Sequence, residues 1–364
     1  MPYTAPWKLE WNKLHRYPGG REIDRFRGIV PPMDDNRPEA WIGSDTRMIN
    51  ASADNPNEGC ASVMLPDGER KYLFELIRDA PEEILGPAHR NVSGDRLGVL
   101  VKLLDAEKQL GLQCHPSRLN AKKYYSSDYG KAESWYIIGT RDDAREPAYV
   151  LMGFKEGVTK EEFGKAFDIS AATGDVSAME ACCHKIAAKV GDVFHIAPGL
   201  PHAVGAGCFL VEVQEPSDIT IGCRSLPKHY PEQVRKLYRE ILLDCYEYDS
   251  GPLGYITGKY RVAPEILRDG PDGREVSLIG KKQTPYFSFS QLETASEMEA
   301  AYTGFPRILL ILEGHGIMRW DGGEVAVSQA DEFFVPFGVK GLRFVADGKV
   351  LKAVLCNPPF ENAP

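Results

Sequence analysis

Glycine and proline recur along the whole chain, 35 and 26 of them in 364 residues, and short apolar runs stand between them. Punctuation this frequent leaves little room for long helices. Runs of roughly four to eight residues rich in β-branched and aromatic side chains, bounded by turn residues, read as strands. By that criterion the chain carries strands at Gly98 to Leu104, Ser134 to Gly139, Ala148 to Gly153, Val193 to Ala197, Cys208 to Gln214, Arg307 to Glu313, Gly316 to Trp320 and Glu332 to Pro336. The chain is therefore expected to be mostly β.

Two segments have a helical pattern instead. Thr159 and Glu162 have the spacing of a capping box ahead of a segment reaching Phe167. In Pro231 to Tyr246, residues Val234, Leu237, Tyr238, Ile241 and Leu242 fall on one apolar face. Both helices are expected outside a β core. The turn-rich stretch Tyr248 to Gly258 then marks a boundary, dividing the chain into 1–254 and 255–364.

A weak repeat supports two similar halves. Gly191-Asp192-Val193-Phe194-His195-Ile196-Ala197-Pro198 resembles Ala330-Asp331-Glu332-Phe333-Phe334-Val335-Pro336, and each copy precedes another apolar strand. Leu312-Glu313-Gly314-His315-Gly316 resembles the glycine-rich turn of a cupin half-barrel. Two cupin-like jelly-roll β-sandwiches with a minor helical part are the expected architecture.

A formal charge of −9 with no long basic run argues against nucleic acid or an anionic membrane as partner. No window approaches the roughly 20 apolar residues that span a bilayer, and Met1 to Trp11 has no signal-peptide pattern, so a cytoplasmic address is expected. The eight cysteines include no C-x-x-C pair and read mainly as small core residues.

Chemistry concentrates in three short segments. In extended Gln113-Cys114-His115-Pro116, Gln113 and His115 project to one side and Cys114 to the other. The same alternation puts Lys131 and Glu133 of Gly130-Lys131-Ala132-Glu133 on a common face. His202 closes the rigid turn Pro198-Gly199-Leu200-Pro201-His202. Gln113, His115, Glu133 and His202 together offer a neutral oxygen, two imidazoles and a carboxylate, a set suited to Zn(II) with an open position. With a formal ligand charge of only minus one, such an ion keeps its Lewis acidity, which favours catalysis.

These segments, with Val101-Lys102-Leu103-Leu104-Asp105-Ala106, Glu39-Ala40-Trp41-Ile42-Gly43-Ser44, Val211-Glu212-Val213-Gln214-Glu215 and Ser217-Asp218-Ile219-Thr220, resemble the type I mannose-6-phosphate isomerases, zinc-dependent enzymes of cupin fold. The resemblance implies an aldose–ketose isomerase that interconverts mannose 6-phosphate and fructose 6-phosphate through an enediol-type intermediate. It implies metal ligation by Gln113, His115, Glu133 and His202, an active-site lysine at Lys131 and a nearby acidic residue at Asp218. Zinc is the implied metal, with Fe, Mn and Co as other divalent choices, and the implied partner is a phosphorylated sugar.

The sequence departs from the family pattern at one point. The family's arginine, four residues after the aspartate, is Gly222 here, and the arginine stands two residues further on as Arg224. An extended shift of that size is about 7 Å. Arg224 is nevertheless the expected catalytic and substrate-binding cation beside Lys131, with Lys122 or Lys123 as further contributors to a positive cleft. The departure keeps open an isomerase for another sugar phosphate, or a noncatalytic sugar-binding regulatory cupin. The second half lacks the ligand pattern: the position matching His202 is Lys340, and no H-x-H or Q-x-H follows residue 255. A domain without metal is expected there.

Overall fold

The computed structural model describes residues 3–65 and 67–360. All the strand segments marked above are strands, and the helical patterns correspond to α1 (Lys160–Thr173) and α2 (Glu232–Cys245). At α1 the Thr159 hydroxyl accepts from the Glu162 amide while the Glu162 carboxylate accepts from the Thr159 amide. That reciprocal cap satisfies two donors the helix leaves unpaired. Short helices at Leu73–Asp79, Pro81–Leu85, Pro87–Ser93 and Arg118–Tyr125 carried too little periodicity to stand out in the sequence. Tyr248 to Gly258 is not simply turn-rich, since a helix runs from Leu253 to Tyr260.

The chain forms two compact units that differ from a division at 254/255. One comprises 1–104, 211–216 and 263–364; the other comprises 105–210 and 217–262. The N-terminal segment joins the C-terminal residues because Trp7–Lys8 pairs antiparallel with the strand Glu332–Val335, Trp7 opposite Phe334. Trp7 and Phe334 are both buried, and their rings lie 5.4 Å apart. Apolar complementarity, which no local pattern reveals, sets that grouping.

In this first unit, residues 263–357 form a two-layer β-sandwich. One layer includes Arg307–Glu313, Ser288–Thr294 and Leu351–Asn357; the other includes His315–Trp320, Gly323–Ser328 and Arg343–Ala346. Between them lies an apolar cluster containing Leu309, Ile311, Met318, Phe333, Phe344 and Leu355. His315 is exposed beside Asp347, and Lys340 is exposed.

The second unit is built on β1 (Gln113–Cys114), β2 (Glu133–Thr140), β3 (Tyr149–Lys155), β4 (Cys183–Ala187), β5 (Val193–Ile196), β6 (His202–Val204) and β7 (Ile221–Gly222). One sheet has the order β4-β3-β6-β1-β7, its neighbours antiparallel; a separate ladder pairs β2 with β5. Cys114, Ala203 and Ile221 share an apolar cluster with Phe163 and Phe167 of α1 and Leu242 and Leu243 of α2. The helices thus cover one face of that sheet, and alternation turns Gln113 and His202 to the other. Among the described residues no helix is long and apolar enough to cross a membrane.

Candidate metal centre

Gln113 and His202 are cross-strand partners on β1 and β6, which brings the first and third motif segments together. The Gly199 amide donates to the His115 carbonyl at 2.8 Å, tying the proline-glycine turn to Gln113-Cys114-His115-Pro116. The second segment joins at Gly130, where a Cβ would stand 2.7 Å from the Arg118 nitrogen and 2.8 Å from the Pro116 oxygen. Only glycine permits so close a backbone approach, and the next amide, Lys131 N, then donates to the Pro116 carbonyl.

The result is a buried knot of ionisable groups. His115 Nε2 lies 3.1 Å from Glu133 Oε2, and His202 Nε2 lies 3.4 Å from Glu133 Oε1. Lys131 Nζ stands 3.0 Å from His115 Nε2 and 3.1 Å from Glu133 Oε2. Gln113 Nε2 faces His202 Nε2 at 3.4 Å. His115, Glu133 and His202 are at most 1% exposed and Lys131 4%, so solvent does not screen these charges.

Two backbone carbonyls orient the imidazoles. His115 Nδ1 is 3.0 Å from the Ile219 carbonyl, and His202 Nδ1 is 2.8 Å from the Leu200 carbonyl. A carbonyl can only accept, so each Nδ1 carries the hydrogen and each Nε2 presents a lone pair to the knot. Burial, reinforced by the Lys131 charge and opposed by Glu133, pushes His115 down to about 4. Burial likewise lowers His202. Burial by itself would raise Glu133, but Lys131 and the two imidazoles hold it well below the usual carboxylate range. At neutral pH the cluster is thus two neutral imidazoles, a carboxylate and a buried lysine.

This donor set fits a metal ion. The ligand atoms of His115, Glu133 and His202 lie within 4.8 Å of one another, and among the described residues no other such group occurs. Neither Glu133 oxygen accepts a well-directed hydrogen bond, although both are buried. Lys131 stands against Oε2, but both oxygens also face imidazole lone pairs, a buried arrangement that is costly unless a further cation sits among them. Imidazole nitrogens and a carboxylate are zinc's ordinary ligands.

Comparison with known proteins gives the cluster a family. No family model matches the chain. A probable mannose-6-phosphate isomerase of Bacillus subtilis, GmuF, is 35% identical over 337 residues, covering 92% of this chain and 94% of its own. The chain belongs to the mannose-6-phosphate isomerase family. Another relative, a mannose-6-phosphate isomerase of Streptococcus mutans, is 24% identical over 79% of this chain and 84% of its own. Among solved structures, the B. subtilis mannose 6-phosphate isomerase matches with a TM-score of 0.75 at 20% identity, over 97% of this chain and 99% of its own. A zinc-bound mannose 6-phosphate isomerase matches at 0.72 and 16% over the same shares. These likenesses establish the fold, that of the isomerase family's cupins.

The other sequence-marked residues of this family member lie around the knot to different degrees. Asp218 is partly exposed on the loop before β7, one residue from the carbonyl that holds His115. Gly222 pairs with Gln113, so position 222 shares the ligand face, and a Cβ there would meet nothing within 4 Å. Arg224 does not continue that strand. β7 ends at Gly222, Cys223 is buried, and the Arg224 amide turns back onto the Gly222 carbonyl. The two-residue shift therefore does not preserve strand face. The exposed Arg224 lies over Gly111 and has no ion-pair partner among the described residues. Lys122 and Lys123 lie on the surface of the helix Arg118–Tyr125, paired with Asp128 and Asp244 respectively, and add nothing to the knot.

Sequence reasoning missed the Ile219 and Leu200 carbonyls, which any residue type would supply. It also assigned no role to a buried cluster in the first unit. There Lys102 Nζ lies 2.9 Å from Glu212 Oε1 and 3.8 Å from Glu39 Oε2, while Glu39 accepts from Tyr17 and Trp41. Burial would raise Glu39, yet Lys102, Arg16 and those two donors hold it below the usual range. The available signal was a lysine and glutamates inside otherwise apolar strands.

Proposed function

We propose that this chain interconverts mannose 6-phosphate and fructose 6-phosphate, using zinc held by His115, Glu133 and His202 with the amide of Gln113 as fourth donor. The observation that carries the reading is the buried His115–Glu133–His202 group with Lys131 against it, in a chain 35% identical to a probable isomerase over nearly its whole length. Bound there, zinc would supply the Lewis acidity that polarises the sugar's carbonyl and hydroxyl oxygens.

The chain's own groups provide the rest. Aldose–ketose isomerisation moves a proton between adjacent carbons and develops oxyanion charge in the enediol-type intermediate. The Lys131 ammonium, dehydrated beside the imidazoles, donates hydrogen bonds to that oxyanion. Lys131 is also fixed by Glu133, so little reorganisation is needed as the charge forms. The Ile219 and Leu200 carbonyls keep the imidazole protons on Nδ1 throughout. Asp218 is assigned to acid–base work from the loop that holds His115. Arg224, free of carboxylate partners among the described residues, is assigned to the substrate's phosphate. All eight cysteines are free thiols, which suits a reducing cytoplasm.

Zinc-loaded protein is expected to convert mannose 6-phosphate to fructose 6-phosphate in a coupled assay, and chelator-treated protein is expected not to. Zinc-loaded protein inactive on that pair defeats the reading. Gly222 in place of the family arginine favours one second reading, an isomerase for a different sugar phosphate. A panel of aldose and ketose phosphates decides between them by kcat/KM.

A further inference from the structure

A cavity of about 560 Å³ opens between the C-terminal half of α1, the first turns of α2 and the loop residues 225–228. Its size falls within the range of small-molecule sites, roughly 300–1,000 Å³. It lies on the helix-covered side of the sheet: Phe167 lines it and packs with Cys114, Ala203 and Ile221, whose side chains point away from Gln113 and His202. None of the metal-centre residues lines it. The cavity is therefore separate from the metal centre, although its lining begins at Ser225, the residue after Arg224.

The lining combines an apolar wall with excess positive charge. Phe167, Ala171, Leu226 and Pro227 supply the apolar part, and four cations face two carboxylates. Arg239 spends its fork on Asp168, with nitrogen–oxygen distances of 2.6 and 2.8 Å. Lys236 lies 2.7 Å from Glu232. Both carboxylates are thereby matched, and two cations are left over. Lys228 has no partner among the described residues, and Arg235 makes one side-chain bond, from Nε to the Tyr230 carbonyl at 3.3 Å. Both terminal nitrogens of Arg235 remain available. Arg235 also acts on Glu232 through its charge, but the lining still has two more cations than carboxylates, a local reversal of the field in a chain of charge −9.

We propose that this cavity binds a phosphomonoester with an apolar body. Lys228 and the Arg235 fork take the phosphate dianion, whose charge equals the local excess, and the wall of Phe167 and Leu226 takes the organic part. Arg239 and Lys236 hold Asp168 and Glu232 so that no carboxylate competes for the anion. The proposal does not depend on which sugar the metal centre isomerises.

Titration calorimetry of the zinc-loaded full chain with phenyl phosphate tests it. Binding is expected to weaken by at least about 30-fold in the double variant Lys228→Glu/Arg235→Glu, at one exposed and one half-buried position, since two charge-assisted bonds are lost. Thr173→Trp, which fills the cavity from the exposed end of α1, is expected to abolish binding while leaving isomerase kcat within about twofold of wild type. Lys131→Ala, at the metal centre, is expected to retain it. Absence of binding to wild type overturns the proposal. So does binding that ignores the Lys228/Arg235 and Thr173 variants, or binding lost in Lys131→Ala. Inorganic phosphate binding as tightly as phenyl phosphate overturns the apolar part of the assignment.

Discussion

The strand–turn element of the metal-centre unit and its counterpart in the C-terminal sandwich start from similar sequence and bury opposite chemistry. Val193–Ile196 leads through Pro198 to His202, whereas Glu332–Val335 leads through Pro336 to Lys340. His202 is buried against Glu133; Lys340 is exposed. His195, buried in the first copy, matches Phe333 in the second, which lies in the sandwich's apolar cluster. The first unit's sandwich fills its interior with Leu, Ile, Phe and Met, while the other keeps four ionisable side chains in a comparable setting. A jelly roll can thus be spent on packing or on a polar site. Unpaired buried charge is expensive, so it is offset either by a counter-charge, as Arg27 does for Glu332 and Lys102 for Glu212, or by a ligand.

The most severe way to break the contrast is to remove that ligand or its holders. His202→Ala is expected to drop zinc content per chain well below one equivalent and turnover by about 10³-fold or more, since the polarising ion goes with it. Metal analysis beside a mannose 6-phosphate assay checks both. Full turnover without metal would make the cluster a structural charge knot. Lys131→Ala separates chemistry from metal binding: kcat is expected to fall by about 10²- to 10⁴-fold with zinc content preserved. Unchanged kcat would remove Lys131 from the chemistry.

The C-terminal sandwich should respond in stability alone. Phe333→Ala removes a fully buried ring from its apolar cluster and is expected to cost about 3–5 kcal/mol in denaturant unfolding, with zinc content and kcat per folded molecule unchanged. A milder exchange moves one residue between the two patterns. Burial pushes His195 down to about 4 from its ordinary value near 6.5. A base depressed in the folded state contributes stability above about pH 6.5, and that contribution is lost as pH falls toward 4. His195→Phe should therefore lack about 2 kcal/mol of the stability loss that wild type shows between pH 6.5 and 5. Parallel pH curves for the two proteins would place the acid sensitivity elsewhere.

Local pattern made much of this legible. Alternation in Gln113-Cys114-His115 and in Lys131-Ala132-Glu133 marked the side chains that the fold brings together, and the Thr159–Glu162 spacing marked a helix start, because each depends only on near neighbours. What escaped depends on distant partners. The grouping of residues 1–104 with 263–364 rests on pairings such as Trp7 with Phe334, more than 300 positions apart. The Ile219 and Leu200 carbonyls leave no trace in side-chain identity. The path to Arg224 was hidden for the same reason, because nothing local shows that β7 ends after two residues.

The end of β7 defines the smallest and sharpest test. Position 222 lies opposite Gln113 with open space around it, so a side chain there would project on the ligand face. Arg224, past the strand end, can meet a phosphate only from the exposed side near Gly111. If Arg224 binds the phosphate, Arg224→Ala should raise KM for mannose 6-phosphate by about tenfold, the worth of one modest charge-assisted bond, with kcat nearly constant. Gly222→Arg in that background should then restore KM, since the new guanidinium stands on the face where the ligands converge. If Arg224→Ala leaves KM unchanged while Gly222→Arg lowers it, the native chain holds the phosphate without an arginine at either position. Specificity for the sugar would then rest on the metal-centre residues rather than on the loop after β7.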